Sequence, residues 1–268
     1  MKKITLVLLS ALLALSLFAC VAADETPDNI TDYTTAPNTH KLSESEGGGT
    51  LSFTDGHAES AVISGYNGKS TLHEVVIPSS ITDADRAVTG IGDEAFYHLS
   101  SIKSIILPDT VTFIGKFAFA GCTSLESIVI PESVEYIDEN AFYGCTALKS
   151  VTFKGTAIRS IGAFAFLGCT ALESINLPEG LEAIGNYTFG KCSALKNVKT
   201  PSTLESIGNL AFYNCESLDV SGGLTLSASI KEIGEFAFMG IDKLNIVTPE
   251  GSYAAEYVDK MAKSGADD

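Results

Sequence analysis

Five cysteines of this 268-residue chain recur at a nearly constant spacing of 23 or 24 residues. Thiolates bind metal ions and thiol pairs form disulfides, so a regular set of cysteines could be a metal site or a redox chain. The CxxC spacing of zinc sites is absent. The equivalent positions before and after the set hold Leu99 and Ile241, which indicates an apolar interior position where cysteine packs as a small hydrophobic residue. The five residues are Cys122, Cys145, Cys169, Cys192 and Cys215.

The redox state of these thiols stays open at the level of sequence. Parallel strands lie about 4.8 Å apart, so stacked units would bring neighbouring cysteines within disulfide range. One or two bridges are then possible in an oxidising exterior. Because the set has five members, at least one thiol must remain free.

The other ionisable residues offer little material for catalysis. The four histidines are far apart, and no nucleophile with a base and no cluster of metal ligands can be named. A formal net charge of −16 and an isoelectric point near 4.6 argue against nucleic acid as a partner. We therefore predict a protein that is not an enzyme and that has no cofactor, no metal and no nucleic-acid partner.

The amino terminus has the pattern of an export signal. Lys2 and Lys3 precede a largely apolar segment, residues 4–18, which is too short for a membrane-spanning helix of about 20 residues. The segment ends in Leu17-Phe18-Ala19-Cys20 and resembles a bacterial lipobox, although Phe18 is bulkier than usual. The resemblance implies a signal peptide over 1–19, lipidation of Cys20 and a lipid-anchored protein; the alternative is an ordinary cleaved signal.

The next segment lacks apolar periodicity. Residues 21–49 are rich in Thr, Asp, Glu, Pro and Gly. Such a composition cannot bury enough apolar surface to fold. We predict that residues 20–49 comprise the lipidated cysteine and a disordered acidic tether.

The cysteines belong to a longer repeat of about 23 residues that must position them. Five consecutive units occupy residues 102–124, 125–147, 148–171, 172–194 and 195–217, and looser units begin at Leu72 and Leu218. Each unit contains LxxIxLP, typical of a short strand, followed by IGxxAFxGC. Repeats of 20 to 29 residues with this leucine spacing are typical of leucine-rich-repeat solenoids. We predict an α/β fold of about seven coils, with a parallel concave sheet and short helical or irregular convex segments.

Two further columns of the repeat predict how the coils hold together. One phenylalanine per coil should stack into an interior spine: Phe96, Phe119, Phe142, Phe166, Phe189, Phe212 and Phe238. A second column alternates in charge and should form an exposed ladder of ion pairs: Lys103, Glu126, Lys149, Glu173, Lys196 and Asp219.

Both ends of the repeat array have the pattern of caps. Loose alternation from Leu51 to Ile63, followed by Gly65-Tyr66-Asn67-Gly68, predicts an N-terminal hairpin cap over 50–71. The solenoid should span 72–243. A helix from Ser252 to Lys263, with Tyr257 on its apolar face, should form a C-terminal cap within 244–268.

The repeat LxxIxLPxxVxxIGxxAFxGCxx resembles the BspA-like class of leucine-rich repeats of bacterial surface proteins. The resemblance covers Leu72 to Lys243 and implies an adhesin-like role at the cell surface. The implied partner is a protein or glycan at the cell exterior, including host extracellular matrix. An alternative is a scaffold or binding subunit for another secreted protein, without host contact.

The predicted binding site is the concave face of the sheet, formed by residues on either side of the central strand position. These are Ser104, Ile106, Ser127, Val129, Ser150, Thr152, Ser174, Asn176, Asn197 and Lys199. Interface hot spots are usually Trp, Tyr or Arg, which are missing from these columns, so affinity should be modest. A second face carries aromatic residues that we interpret as packing residues on the convex side: Phe117, Phe164, Tyr187 and Phe236.

Overall fold

A computed structural model describes residues 38–43, 47–56, 60–68, 73–81, 86–218, 224–241 and 246–264. The predicted signal peptide, Cys20 and the tether as far as residue 37 lie outside these ranges.

The described residues form nineteen strands and one helix. The strands before the regular repeats are β1 (Asn38–Lys41), β2 (Thr50–Asp55), β3 (Ala61–Asn67), β4 (Glu74–Val76), β5 (Ser80–Ile81) and β6 (Arg86–Ile91). The next are β7 (Ser104–Ile106), β8 (Phe113–Ile114), β9 (Ser127–Ile130), β10 (Tyr136–Ile137), β11 (Ser150–Phe153), β12 (Ser160–Ile161), β13 (Ser174–Asn176) and β14 (Ala183–Ile184). The last are β15 (Asn197–Lys199), β16 (Ser206–Ile207), β17 (Leu224–Thr225), β18 (Glu232–Ile233) and β19 (Ile246–Val247), followed by helix α1 (Tyr253–Ser264).

The LxxIxLP segments form the predicted parallel sheet, here called the first sheet. Its eight strands follow the order β4-β7-β9-β11-β13-β15-β17-β19, one per coil. The core-facing residue of each strand from β4 to β17 is buried, as Ile128 and Ile175 are. The two flanking residues point outward because side chains alternate along a strand. The sheet also extends to β19, beyond the predicted end of the solenoid at residue 243.

A second sheet, which the repeat pattern did not predict, lines the other side of the coils and is parallel from β3 onward. It runs β3-β6-β8-β10-β12-β14-β16-β18, and each regular coil contributes only two residues to it. Turns follow each of these strands, so the segments between the sheets are irregular rather than helical. The prediction of a leucine-rich-repeat solenoid of about seven coils is confirmed.

The phenylalanine spine is present as predicted. All seven rings are buried, and consecutive rings stack with centroids 5.1 to 5.6 Å apart. A tyrosine extends the spine at each end: Tyr66 stacks on Phe96 at 5.7 Å, and Tyr257 packs edge-on against Phe238 at 6.2 Å. Burying one Phe side chain contributes up to about 3 kcal/mol, so the spine joins the coils into a single core.

The N-terminal cap is larger than predicted. β2 and β3 form the expected antiparallel hairpin, but β1 pairs antiparallel with β2 as well. The tether prediction for residues 20–49 is therefore wrong for residues 38–43 and 47–49. An edge strand such as β1 is held by backbone pairing and needs no apolar alternation of its own. Gly47, with φ of +94°, lies against the backbone of Glu74, where the Cβ of any other residue would collide with the Glu74 carbonyl oxygen.

The C-terminal helix is confirmed within one residue of the predicted bounds. Ser252 caps it, since its hydroxyl oxygen accepts a hydrogen bond from the Ala255 amide at 3.2 Å. Ala254 is fully buried, and Tyr257 contacts the last ring of the spine.

Replacing Tyr257 with alanine should loosen the last coil without unfolding the centre of the solenoid. Truncation removes the edge-on contact with Phe238, and contacts of this kind contribute about 0.5 to 1.5 kcal/mol beyond the area they bury. Amide hydrogen exchange should accelerate over residues 224–241 and stay unchanged over 125–194. Equal acceleration in both regions would show that the helix does not act as a local cap.

Candidate binding surface

The five repeating cysteines are interior packing residues, as their column predicted. Each is buried and free of disulfides. Each thiol donates a hydrogen bond to the carbonyl oxygen of the spine phenylalanine one coil earlier, at 3.0 to 3.3 Å. Cys169, for example, donates to Phe142. The column therefore ties each coil to the preceding one, and the disulfides that the spacing permitted are not formed.

Burial also makes these thiols poor nucleophiles. Desolvation raises the pKa of Cys122 and of Cys215 to about 12, and it holds the pKa of the three between them well above the ordinary thiol value. Only the thiolate reacts or binds metal. The arrangement therefore supports a structural role for the column.

The ten residues of the predicted binding site share one surface, here called the first-sheet face. They form two rows in strand register. Ser104, Ser127, Ser150, Ser174 and Asn197 form one row, and Ile106, Val129, Thr152, Asn176 and Lys199 form the other. Ile106 and Val129 are 49% and 44% exposed. Small hydroxyl and aliphatic side chains give this face an uncharged centre.

Ion pairs between adjacent coils border this surface. In the predicted charge ladder, Lys149 lies 3.1 Å from Glu126 and Lys196 lies 4.0 Å from Glu173. Asp219 lies outside the described residues. Further pairs join Lys116 to Glu139, Arg159 to Glu182 and Lys231 to Glu205 on other columns. Exposed pairs of this kind contribute roughly 0 to 1 kcal/mol each, so they favour coil register more than stability.

The turns after the second sheet place bulky residues in the left-handed backbone region. The position two residues before each spine phenylalanine has φ between 53° and 60°: Glu94, Phe117, Asn140, Phe164, Tyr187, Leu210 and Phe236. Two residues after the spine phenylalanine, His98, Lys191 and Asn214 have φ in the same range. This conformation costs roughly 1–2 kcal/mol for a residue other than glycine. A backbone hydrogen bond to the next coil fixes it, as from the Phe164 amide to the Asn186 carbonyl at 2.8 Å.

Aromatic side chains from this column share a surface with a second column that sequence reasoning missed. Tyr187 stacks on Phe164 at 5.1 Å and contacts Tyr213 edge-on at 6.4 Å. Tyr97 contacts Phe117 in the same way. The missed signal is the position directly after the spine phenylalanine, which is tyrosine in three coils: Tyr97, Tyr143 and Tyr213.

The described ranges contain neither a metal-binding cluster nor a membrane-spanning helix. No group of three or more His, Cys, Asp or Glu side chains there is close enough to hold a metal ion. Among the same residues, no helix is both long and apolar enough to span a bilayer.

Comparison with models of protein families identifies the repeat. The profile of the BspA type leucine rich repeat region matches in six copies, over residues 64–169 and 89–219. The chain belongs to this family. The match includes the strands of the first-sheet face from β7 to β15 and all five repeating cysteines.

Solved structures that resemble this chain are leucine-rich-repeat proteins, and one of them is a bacterial cell surface protein. A leucine rich repeat protein of T. pallidum matches with a TM-score of 0.67 and 28% identity, over 78% of this chain and 92% of that one. A leucine rich cell surface protein from Faecalibacterium prausnitzii matches with a TM-score of 0.63 and 27% identity, over 80% of this chain and 55% of that one. A leucine-rich repeat protein from Bacteroides ovatus matches with a TM-score of 0.56 and 30% identity, over 82% and 59%.

This BspA-type chain thus spans a little over half the length of the F. prausnitzii and B. ovatus proteins. A comparison with curated protein sequences finds no significant match.

Proposed function

We propose that this chain is an adhesin-like protein at the cell surface, which binds a protein partner through the first-sheet face. The observation that carries the proposal is the pair of registered rows along consecutive coils of a solenoid that resembles a solved cell surface protein. Repeated coils present an extended surface on which a partner contacts many side chains at once.

The chemistry of the face favours weak binding that many copies strengthen. The rows contain no tryptophan, tyrosine or arginine, which are the usual hot-spot residues of protein interfaces. Display of many copies on one cell raises overall avidity by 10² to 10⁴ where geometry allows simultaneous contacts. A host extracellular-matrix protein, which presents repeated sites, fits this mode of binding.

Binding to immobilised matrix proteins tests the proposal. The full chain, coupled to beads for multivalent display, should show saturable binding to at least one of fibronectin, laminin or collagen. An Ile106→Asp/Val129→Asp variant should lose most of it, because it places two charges in the aliphatic part of the first-sheet face. Glu232→Asp, on β18 of the second sheet, is the control.

Three outcomes would contradict this function. Absence of saturable binding to any matrix protein would remove the adhesin role and leave a scaffold for another secreted protein. Binding that survives the double variant would remove the first-sheet face as the site. Binding to mucins alone would point to a glycan partner.

The proposed location depends on Cys20. We propose that Cys20 carries the lipid that holds the protein at the cell surface, as the lipobox resemblance implies. Cells fed a labelled fatty acid should incorporate label into the protein, and Cys20→Ala should abolish incorporation. Label that persists in this variant would place the modification elsewhere.

A further inference from the structure

The outward row of the second sheet changes from large to small side chains at Tyr136. In strand register the row runs Gly90, Phe113, Tyr136, Ser160, Ala183 and Ser206. Phe113 stacks on Tyr136, with ring centroids 5.5 Å apart and 8° between the planes. The next two coils on the other side carry only Ser160 and Ala183, so no ring among the described residues covers that face of Tyr136. Tyr136 is 43% exposed, and together with Ser160 and Ala183 it forms what is here called the Tyr136 step.

Carboxylates without a cationic partner lie near the Tyr136 ring. Burial raises the pKa of the Tyr136 hydroxyl, and the carboxylates of Asp138, Glu135 and Asp93 raise that pKa further. Asp93 and Asp138 each accept one backbone amide, at 2.8 and 2.7 Å. None of the three carboxylates forms an ion pair with a lysine or arginine in the part of the chain that the structure describes. Each can therefore accept hydrogen bonds from a cationic ligand.

The cations on the same side of the coils are already paired. Lys116 lies 3.7 Å from Glu139, and Arg159 lies 3.6 Å from Glu182. Because Arg159 pairs with Glu182, it leaves Glu135 on the preceding coil uncompensated. An open aromatic face beside uncompensated carboxylates is complementary to a cation.

The protein itself holds one arginine with the same two groups. The Arg86 guanidinium lies 5.1 Å from the centre of the Phe53 ring and pairs with the Asp55 carboxylate. The ring supplies a cation–π contact, and the carboxylate supplies a charge-assisted hydrogen bond. The Tyr136 step offers a ring and carboxylates in the same combination, with no arginine of this chain bound to them.

The composition of the chain decides between a second copy and a different protein as the source of the cation. The chain contains two arginines, Arg86 and Arg159, and each already has a carboxylate partner. Two copies also repel each other, because each carries a formal charge of −16. An arginine at the Tyr136 step therefore belongs to a different and more basic protein.

We propose that the Tyr136 step binds an arginine side chain in a basic segment of a different protein. The guanidinium stacks on the open face of Tyr136, above Ser160, and donates hydrogen bonds to the carboxylates beside the ring. Arginine fits better than lysine, because a guanidinium is planar and weakly hydrated whereas an ammonium is compact and strongly hydrated. The proposal rests on the proposed role of the solenoid in protein binding, but it does not depend on the first-sheet face.

Fluorescence anisotropy with the full chain and labelled peptides tests this proposal. The probe is a fluorescein-labelled peptide of alternating arginine and glycine. Two comparison peptides replace each arginine with lysine or with citrulline, which is the neutral isostere of arginine. One test variant is Tyr136→Ser, because serine occupies the next position of the row at Ser160. The other is Glu135→Gln/Asp138→Asn, which removes charge and keeps the shape of the side chains.

A variant with the same change of charge elsewhere is the control. Glu126→Gln/Glu173→Gln removes two carboxylates from the ladder beside the first sheet and leaves the Tyr136 step intact. It corrects for general attraction between a basic peptide and an acidic protein. Circular dichroism should show the same secondary structure for all four proteins.

The arginine peptide should bind the unmodified chain more tightly than the lysine peptide does, and the citrulline peptide should not bind. Each test variant should bind the arginine peptide roughly tenfold more weakly, as loss of the ring or of its carboxylates implies. The control should bind it within about twofold of the unmodified chain, as expected for exposed charges outside the site. Equal binding to Tyr136→Ser and the unmodified chain, or an equal loss in the control, would overturn the proposal.

Further measurements on the same proteins cover the other occupants. Choline that displaces the arginine peptide at a lower concentration than free arginine does would make the step a site for quaternary ammonium ligands instead. Sedimentation that shows a dimer of the unmodified chain, dissociated in Tyr136→Ser, would make it an interface between copies. Failure of matrix binding with intact arginine binding would remove the proposed adhesin role and leave the Tyr136 step in place.

Discussion

Replacing Phe166 with alanine is expected to lower the free energy of unfolding by about 3 to 5 kcal/mol. Phe166 is fully buried in the middle of the spine, stacked on Phe142 at 5.1 Å and on Phe189 at 5.5 Å. Truncation removes both contacts and leaves a cavity that the rigid coils on either side cannot close. Thermal unfolding followed by circular dichroism measures the effect, with a fall in melting temperature of roughly 6 to 20 °C for a domain of this size.

Phe236→Ala is the matched control for this substitution. It makes the same change two residues before a spine ring, at a side chain that is 62% exposed. Its effect should stay within about 0.5 kcal/mol, as for most surface substitutions. Equal melting temperatures for the two variants would mean that the spine does not hold the coils together.

The second large effect concerns the five repeating thiols. In a Cys20→Ala chain at pH 8, none of them should react with an aromatic disulfide reagent in the folded state, and all five should react in guanidinium chloride. Burial raises the pKa of Cys122 to about 12. At pH 8 a thiol with that pKa is ionised in roughly one molecule in ten thousand, and the reagent must also reach it.

Labelling rates at rising guanidinium concentration show whether this protection comes from the fold. If reaction requires unfolding, the rates for all five thiols should follow the unfolding curve. Cys169→Ser supplies the control, since a serine hydroxyl can still donate to the Phe142 carbonyl while the count of reactive thiols falls to four. Rapid labelling of any repeat cysteine in the folded protein would contradict its interior position.

The features that the sequence predicted are those that repeat once per coil and bury apolar side chains. Ile128, Phe142 and Cys145 recur with the period of the coil, and each column keeps its chemical type through the array. A column of apolar residues can be satisfied only in the interior, so the first sheet, the spine and the thiol column follow from it. The helix α1 was predictable because its apolar positions recur on one face.

The second sheet and strand β1 escaped prediction for a different reason. Each regular coil gives the second sheet two residues, such as Tyr136 and Ile137, which is too short for an alternating pattern. Strand β1 reads Asn-Thr-His-Lys and buries no apolar side chain of its own that a pattern could reveal. Both exist because neighbouring backbone offers hydrogen-bond partners, a tertiary effect that local sequence does not encode.

The candidate binding residues were only partly predictable. Strand alternation placed Ser127 and Val129 on the outside of the first sheet, and the structure puts them there. The interpretation of Phe117, Phe164, Tyr187 and Phe236 as packing residues fits the stacked pair Phe164 and Tyr187, whereas Phe236 is 62% exposed. The contact between Tyr187 and Tyr213 on one partly exposed surface depends on the packing of two coils, which the local sequence does not encode.

Ring-to-ring nuclear Overhauser effects test the stacked coils most directly. A deuterated protein with protonated phenylalanine and tyrosine rings should show an unbroken chain of contacts from Tyr66 through the seven spine rings to Tyr257. Contacts between Phe142 and Phe166 and between Phe166 and Phe189 should be among the strongest. Absence of these contacts in the folded protein would contradict the stacking of the coils, and with it the first-sheet face, whose rows depend on that stacking.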